Sequence, residues 1–413
     1  MSSLLCIWPK LANQNLTDQK DKPLNRILGT LVLCAAIFSN SVLLAQEQAT
    51  PLAAPDTNVL DQEQWEQLDK SLQRGLKWLA TQQEKDGSFE TTRFGQPAVT
   101  SLCLMAFMAQ GESPSDGQYK LQLSKAVDFI EAQQKPNGLI TVVGPSAVPI
   151  PRDGAERLSS SVVYNHAISA LALCEAYGQC DPDQAKRLAP VIEKAIVATV
   201  EMQRWGPKAK HDVGGWRYTG LRPPEGDSDL SVTGWQLMFL RSAKNAGFDV
   251  PAESIASAVK YVEGCFIEQE DRQVHAYLSQ DKNACTRAMA GAGILALAHA
   301  GKNDSKEAVA SGEWLLKHSF GRYNDSAPIY GKRTAEEHYH YASVLCSQAM
   351  FQLGGKYWKQ FFPPLAKTLL ANQQPNGAWP PEKSAHRYGS TYSTALSVLA
   401  LSVPNQLLPI FQR

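Results

Sequence analysis

Apolar residues along this chain fall into two alternating patterns. The first is an amphipathic helix whose polar face carries charges such as Lys70, Arg74 and Lys77. It runs into Gln and then a turn containing Gly, and three such endings align: Leu76 to Phe89, Val127 to Ile140 and Thr368 to Trp379. The turn Pro136-Asn137-Gly138 returns as Pro375-Asn376-Gly377, with Asp86-Gly87 as its equivalent in the first copy. Gly or Asn at such a place supplies the positive φ that ends a helix. The second pattern is a helix apolar nearly all round, as in Ala288-Met289-Ala290-Gly291-Ala292-Gly293-Ile294-Leu295-Ala296-Leu297-Ala298. A helix of that kind has to be enclosed by others.

Helices of the second kind are predicted at Ala98 to Gly111, Ser160 to Gly178, Ser231 to Gly247, Cys285 to Gly301, Tyr341 to Gly354 and Thr391 to Leu401. The amphipathic partners of the third, fourth and fifth run through Ile192 to Gln203, Ile255 to Cys265 and Ala308 to Leu316. Twelve helices in six pairs follow, and a repeat of this length has to be recognised before any fold is assigned. The apolar helices form an inner ring, the charged ones an outer, solvated ring. Closing the ring removes the exposed ends that an open solenoid must cap. The predicted fold class is therefore all-α, an (α/α)6 toroid of six helical hairpins covering residues 62–413.

The composition adds bounds. The chain has 413 residues, 44% hydrophobic and 19% charged, enough apolar side chains for a large core. Lys plus Arg and Asp plus Glu both number 40, so no bulk field favours nucleic acid or an anionic membrane. Lys20, Lys22 and Arg26 precede a mostly apolar run from Ile27 to Ala45, followed by polar Gln46 to Gln48. This is the pattern of an export signal, so residues 1–45 are expected to be a signal peptide or an uncleaved N-terminal anchor, and 46–61 a linker. The protein is expected in the periplasm or outside the cell, touching membrane only through that anchor. Beyond the leader, Cys103, Cys174, Cys180, Cys265, Cys285 and Cys346 include no Cys-x-x-Cys pair and read as small buried hydrophobes, Cys174 and Cys180 being the one close pair.

The repeated residues resemble a known family. Arg74-Gly75, Trp78-Leu79, Gln83, Gly87 and Phe89 are similar to the QW repeat of squalene and oxidosqualene cyclases. Lys125-Ala126, Phe129-Ile130, Gln134 and Gly138 form a second copy with Ile140 at the aromatic position; Gln373, Gly377 and Trp379 form a third. Gln203 and Trp216 look like a fourth copy split by an insertion. The resemblance covers about 350 residues and implies the terpenoid cyclase and protein prenyltransferase superfamily, more narrowly the exported bacterial repeat proteins of that type. On the residues alone, the Gln, Gly and aromatic side chains brace neighbouring hairpins at outer-helix ends.

A closed toroid offers its central funnel as the large concavity, with the ends of the inner helices around its mouth. Helix N-termini there favour anions and anionic transition states. In the third unit, Asp227 and Asp229 match the first two acids of the Asp-x-Asp-Asp motif of squalene-hopene cyclase, with Leu230 in place of the last. The resemblance implies a proton-donating role for them; the plainer reading is that Asp229 or Ser231 caps the helix. In the fourth and fifth units, Asn283-Ala284-Cys285 and Tyr339-His340 resemble the zinc-binding Asp-x-Cys and Tyr-His of the farnesyltransferase β subunit, with Asn283 replacing the ligand Asp. Asp281 or His338 would have to complete a zinc site, and the alternative is that Cys285 packs and His340 stacks with Tyr339 and Tyr341. Ligand-binding candidates are Tyr164, His166, Trp235, Arg287, Glu337, His340 and Tyr392, with Arg157, Asn165, Glu336, Arg387 and Tyr388 also expected at the rim. No Cys-Gly-Glu-Gln thioester, phosphate-binding Gly-rich loop or His-Glu-x-x-His motif is present.

These features predict a funnel that binds a ligand, without assigning a reaction or cofactor. The partner is expected to be a hydrophobic small molecule, a glycan or an envelope protein. Isoprenoid cyclase or prenyltransferase chemistry, polysaccharide cleavage and a non-catalytic envelope scaffold stand as alternatives.

Overall fold

The computed structural model describes residues 54–56, 58–142, 155–205, 208–218, 228–280, 284–325 and 338–412, with side chains before Ser161 in the fourth helix left aside. The expected leader 1–45 lies outside these residues, as does the expected linker through 53. Twelve α-helices run among the described residues. The odd-numbered ones are α1 (Gln62–Ala80), α3 (Lys120–Ala132), α5 (Pro182–Gln203), α7 (Ala252–Gly264), α9 (Lys306–Lys317) and α11 (Gly355–Asn372). The even-numbered ones are α2 (Ala98–Met108), α4 (Ala155–Tyr177), α6 (Leu230–Asn245), α8 (Arg287–His299), α10 (Tyr339–Leu353) and α12 (Gly389–Ser402).

Sequence decides which helix goes where. Every residue of α2 and α10 except Tyr341 is buried, whereas α1 buries Leu68, Leu72, Gly75, Leu76 and Leu79, one face at helical spacing. The even helices form the inner ring, each packed on the next from α2 through α12, and α12 closes the circle on α2. The odd helices from α1 to α9 lie outside, each in the groove between two inner ones, and α11 lies on α10 between the outer helices α9 and α1. Polar N-caps start the helices: Asp61 and Gln64 form a capping box on α1, and Asp181, Asp229, Thr286 and Ser305 cap α5, α6, α8 and α9. The all-α toroid of six hairpins is thus the fold of the chain.

One device recurs where an outer helix ends. The side-chain amide of Gln83 donates to the Gly87 carbonyl (3.0 Å) and to Gln122 O on the next outer helix (2.8 Å). Gln134 does the same to Gly138 O (3.3 Å) and Val191 O (2.7 Å), and Gln203 to Gly214 O (2.7 Å) and Ser254 O (2.9 Å). Gln373 donates to Gly377 O and to Ser71 O, both at 2.9 Å, and so ties the last outer helix to the first. Its own Oε1 accepts from Ser71 Oγ (2.7 Å) and from Arg74. Gly377 sits at φ +98°, and a methyl there would overlap the Arg74 carbonyl, three residues beyond Ser71. Gly87, Gly138 and Gly214 meet the carbonyls of Lys125, Lys194 and Ser257 in the same way. The glycine is what lets the turn lie against the next helix.

The fourth and fifth units depart from this device. A two-stranded antiparallel hairpin, β1 (Phe266–Gln269) with β2 (Arg272–His275), stands where the fourth turn would be, with Ile267 and Val274 paired and buried. The sequence reading missed these strands, because four alternating residues are too few to distinguish from an irregular turn. His275 fills the space beside Gly293 of α8 and bonds Ser311 Oγ at 2.8 Å through Nδ1.

The C-terminal stretch closes one end. Leu408, Ile410 and Phe411 are buried, and Gln352 near the end of α10 donates to Phe411 O (3.5 Å) and Gln412 O (3.0 Å). Glu175, 2% exposed near the end of α4, accepts from Ser242 Oγ of α6 (2.6 Å) and from the Ile410 N–H (3.2 Å). Burial pushes the Glu175 carboxyl up to about 7, against the pull of those two donors.

Two outcomes are expected. Gly377→Ala should lower the unfolding free energy by about 2 kcal/mol or more, read by urea denaturation, because the ring closure must shift to admit the methyl. Glu175, whose folded pKa is raised, contributes stability that is full below its ordinary value of 4.5 and lost as pH rises through about 7. On the order of 3 kcal/mol is involved. Thermal unfolding of Glu175→Gln should lose that pH slope between 4.5 and 7; an unchanged slope would assign it to other groups.

Candidate functional site

The inner helices all start at the end opposite the C-terminal plug, and a cavity of about 230 Å³ opens among their first turns. Apolar side chains of α2 and α4 form one side, with Val99, Leu102 and Ile168. Tyr164, Tyr218, Trp235, Tyr341, Tyr388 and Tyr392 supply an aromatic wall. Asn165 also lines it, held by donating to Phe94 O (3.2 Å) and Gln96 O (2.6 Å). Arg387 stands at the mouth over the Tyr388 ring, 4.9 Å from its centroid.

Beneath the wall lies a buried polar network built on the cap of α6. Asp229 is fully buried; its Oδ1 accepts from Val232 N (2.8 Å) and Ser231 Oγ (2.7 Å), its Oδ2 from Arg217 Nη1 (2.8 Å). Three donors and no acceptor are the partners of a carboxylate, not of a carboxylic acid, whose O–H would need somewhere to point. Burial pushes the Asp229 carboxyl above its usual range, while Arg217, the Val232 N–H and Ser231 pull it back. Arg217 also donates to Tyr277 Oη (3.0 Å), which lies 2.9 Å from Tyr218 Oη.

Tyr164 joins this network to the cavity. Its hydroxyl is 2.5 Å from Ser231 Oγ, and since Ser231 donates to Asp229, Tyr164 donates to Ser231. A continuous hydrogen-bonded path therefore leads from a cavity-lining phenol to a buried carboxylate. Such a path can hold or pass one proton. Burial raises the Tyr164 hydroxyl well above the ordinary range, helped by the charge of Asp229, so the phenol stays neutral.

The sequence-predicted residues divide. Tyr164, Trp235 and Tyr392 line the cavity, with Asn165, Arg387 and Tyr388 from the wider rim set and His338, the candidate zinc ligand. Asp229 sits behind the wall, as the cap of α6, in the plainer of its two expected roles. Asp227, Glu337, Glu336, Asp281 and Asn283 lie outside the described residues, and the Arg157 side chain is likewise not described.

Three expected ligand-binding residues are placed elsewhere. His166 is fully buried; Nδ1 accepts from Ile140 N (3.1 Å) and Nε2 donates to Thr199 Oγ1 (2.9 Å). It does for the second unit what Thr100, Thr233 and Thr394 do when they accept from the N–H of Phe89, Trp216 and Trp379. Burial lowers its pKa to about 4, so it is a neutral brace. Arg287, 1% exposed, donates to Ser319 O and to Asp325 and lies over the Phe320 ring, pinning the segment after α9. His340 is buried between Glu382, through Nδ1, and Tyr323 Oη, 3.0 Å from Nε2. Burial would raise Glu382, but the bond to His340 holds it below the usual carboxylate range.

The zinc expectation meets the same obstacle. Both His340 nitrogens are engaged, Cys285 is buried in the core, and among the described residues no three His, Cys, Asp or Glu side chains are grouped to hold a metal ion. A ligand nitrogen must present its lone pair to the metal.

Sequence alone does not single out Arg217, Tyr218 and Tyr277. A signal for two of them exists: Arg217 and Tyr218 directly follow Trp216, whose buried ring ends the third turn, so the chain leaving that turn crosses the funnel mouth. Tyr277 carries no local signal; Tyr341, expected as a stacking partner of His340, lines the cavity and accepts a 3.1 Å bond from Trp235 Nε1.

No family model and no curated protein matches the chain by sequence. Solved structures of similar shape include a variant of the type II terpene cyclase MstE from Scytonema in complex with merosterolic acid A, with a TM-score of 0.51 and 14% identity over 84% of this chain and 99% of that one. A glycosidase variant in complex with glucose has a TM-score of 0.56 and 10% identity, covering 85% and 100%. An inactive variant of the α-1,6-mannanase GH76A of Salegentibacter sp., in complex with α-1,6-mannotriose, has a TM-score of 0.53 and 10% identity, covering 81% and 98%. At such identities the likeness is one of fold, and it places the chain among toroids that include terpene cyclases and glycosidases.

Arg217→Met should strand the buried Asp229 carboxylate and cost about 3 kcal/mol. Its stability should then improve as pH falls, because protonation relieves the unpaired charge. Arg217→Met/Asp229→Asn should recover most of the loss in a double-mutant cycle, and additive losses would show that the two side chains are not coupled.

Proposed function

We propose that the protein binds a glycan unit in the tyrosine-walled funnel and acts outside the cytoplasm, with residues 1–45 as its export signal or anchor. The observation that carries this reading is the cavity lining. Among the described residues, the hydroxyls of Tyr388 and Tyr392 have no hydrogen-bond partner and Arg387 has no ion-pair partner. A sugar ring offers C–H faces to such aromatic walls and hydroxyls to their edges. The cavity of about 230 Å³ is smaller than the usual range for drug-sized ligands, roughly 300 Å³ and above. That suits one ring better than a long prenyl chain. The glucose and mannotriose complexes of similar toroids make sugars a ligand class this architecture accommodates.

Binding is favoured over the two catalytic alternatives. Glycoside hydrolysis generally takes two facing carboxyl groups, and the described lining of the cavity contains none. Starting a cation cascade takes a carboxylic acid with its proton available, and the partners of Asp229 are those of a carboxylate. The isoprenoid reading keeps one specific support, the apolar side formed by Val99, Leu102 and Ile168.

The test is isothermal titration of the protein, recovered from the envelope fraction of its own cells, with neutral and uronate oligosaccharides and with prenyl alcohols. Saccharide binding weakened about tenfold by Tyr392→Ala, roughly 1.4 kcal/mol, is the expected result. Binding of the alcohols alone would transfer the funnel to a hydrophobic ligand, and recovery solely from the cytosol would remove the export half of the reading.

A further inference from the structure

A second concavity lies far from the funnel mouth, where α6 and α8 end and α7 crosses outside them. It encloses about 790 Å³. Its walls carry four cations from three separate pieces of chain: Arg241 and Lys244 from the last turns of α6, Lys260 from α7 and Lys302 from the turn after α8. Lys302 is paired with Glu263, the one carboxylate on the wall, at 2.5 Å. Among the described residues, Arg241, Lys244 and Lys260 make no ion pair or side-chain hydrogen bond, so the wall carries a surplus of positive charge.

Helix ends explain part of this arrangement. Cations in the last turn of α6 offset the carbonyl end of its dipole, equivalent to roughly half a charge. That accounts for Lys244, but Lys260 lies within α7 and owes nothing to a helix end. His299 adds a titratable group beside them. It closes α8 on the wall of the same cavity, with its Nε2 shielded from solvent.

We propose that this cavity is a binding site for an oxyanion group, the phosphoryl, sulfate or carboxylate of a small ligand, held by Arg241, Lys244 and Lys260 beside the ring of His299. The site is separate from the funnel, shares no residue with it and does not depend on the glycan reading. Arg–oxyanion pairing is the geometrically strongest of these contacts, since the guanidinium can offer two parallel N–H donors.

The site contains its own reporter. Burial, with the nearby charge of Arg241, lowers His299 to about 4. An anion held beside the ring acts in the opposite sense, stabilising the imidazolium. The charged groups around the ring are Arg241, Lys244, Lys260 and Lys302 on the cationic side and Glu263 on the other.

Histidine Cε1–H resonances of the full chain would be followed against pH, with His299 identified by its loss in His299→Gln. Inorganic phosphate and sulfate form one arm, galacturonate the second, and sodium chloride at matched ionic strength the control. The expected result is that at least one oxyanion raises the His299 midpoint by one pH unit or more, a tenfold linkage. Arg241→Gln/Lys260→Gln should abolish the shift, and both replaced residues are exposed, so the fold survives. Arg387→Gln, at the funnel mouth, should leave it intact. A shift with phosphate or sulfate assigns a phosphoryl or sulfated ligand; a shift with galacturonate alone assigns a carboxylate. Overturning results are no shift beyond that of chloride, or a shift that persists in Arg241→Gln/Lys260→Gln.

Discussion

The side-chain amides of Gln83, Gln134, Gln203 and Gln373 each bond two carbonyls at once, one in their own turn and one on the next outer helix. That shared amide fixes the rotation from one hairpin to the next. A hairpin free to tilt would leave the inner helices in an open spiral with an uncovered apolar face. With the rotation fixed, the sixth hairpin returns to the first, Gln373 reaches Ser71, and α12 packs on α2. Closure by side-chain hydrogen bonds and burial together replaces the caps that an open array needs.

The two ends of the ring then differ for a simple reason. All inner helices run the same way, so one end gathers their N-termini and the other their C-termini. The C-terminal stretch fills the second end, where Glu175 and Gln352 hold its backbone. The first end stays concave, and its polar groups are those a cluster of helix starts collects: the Asp229 cap, Ser231 and a ring of tyrosines. The fold leaves space at that open end, lined by aromatic side chains.

Asp229 shows how one residue type can serve different ends on one fold. A capping aspartate in this place resembles the acid of a cyclase, but Arg217 at 2.8 Å gives it a permanent counter-charge. Pairing stabilises the carboxylate against the burial that raises its pKa, and its three donors offer no acceptor for a proton. The remaining connection, through Ser231 to Tyr164, leads toward the cavity and ends on a neutral phenol.

The architecture was legible in the sequence because helix periodicity is a local property and a repeat states it many times. Apolar-all-round segments such as Ala288 to Ala298 had to be inner helices, and Gln-Gly turns had to end outer ones. Tyr164, Trp235 and Tyr392 could be placed at the funnel because position near an inner-helix start is also local. His166, Arg287 and His340 could not be placed so, since the same residue type at such a start can face the cavity or turn into the wall. What settles each is a partner far along the chain: Ile140 and Thr199 for His166, Asp325 for Arg287, Glu382 for His340. Sequence by itself determined the helices, their two classes and the ring they make; tertiary structure alone decided which polar side chains bond within the wall and which remain open to a ligand, because hydrogen-bond satisfaction depends on neighbours that only folding brings together.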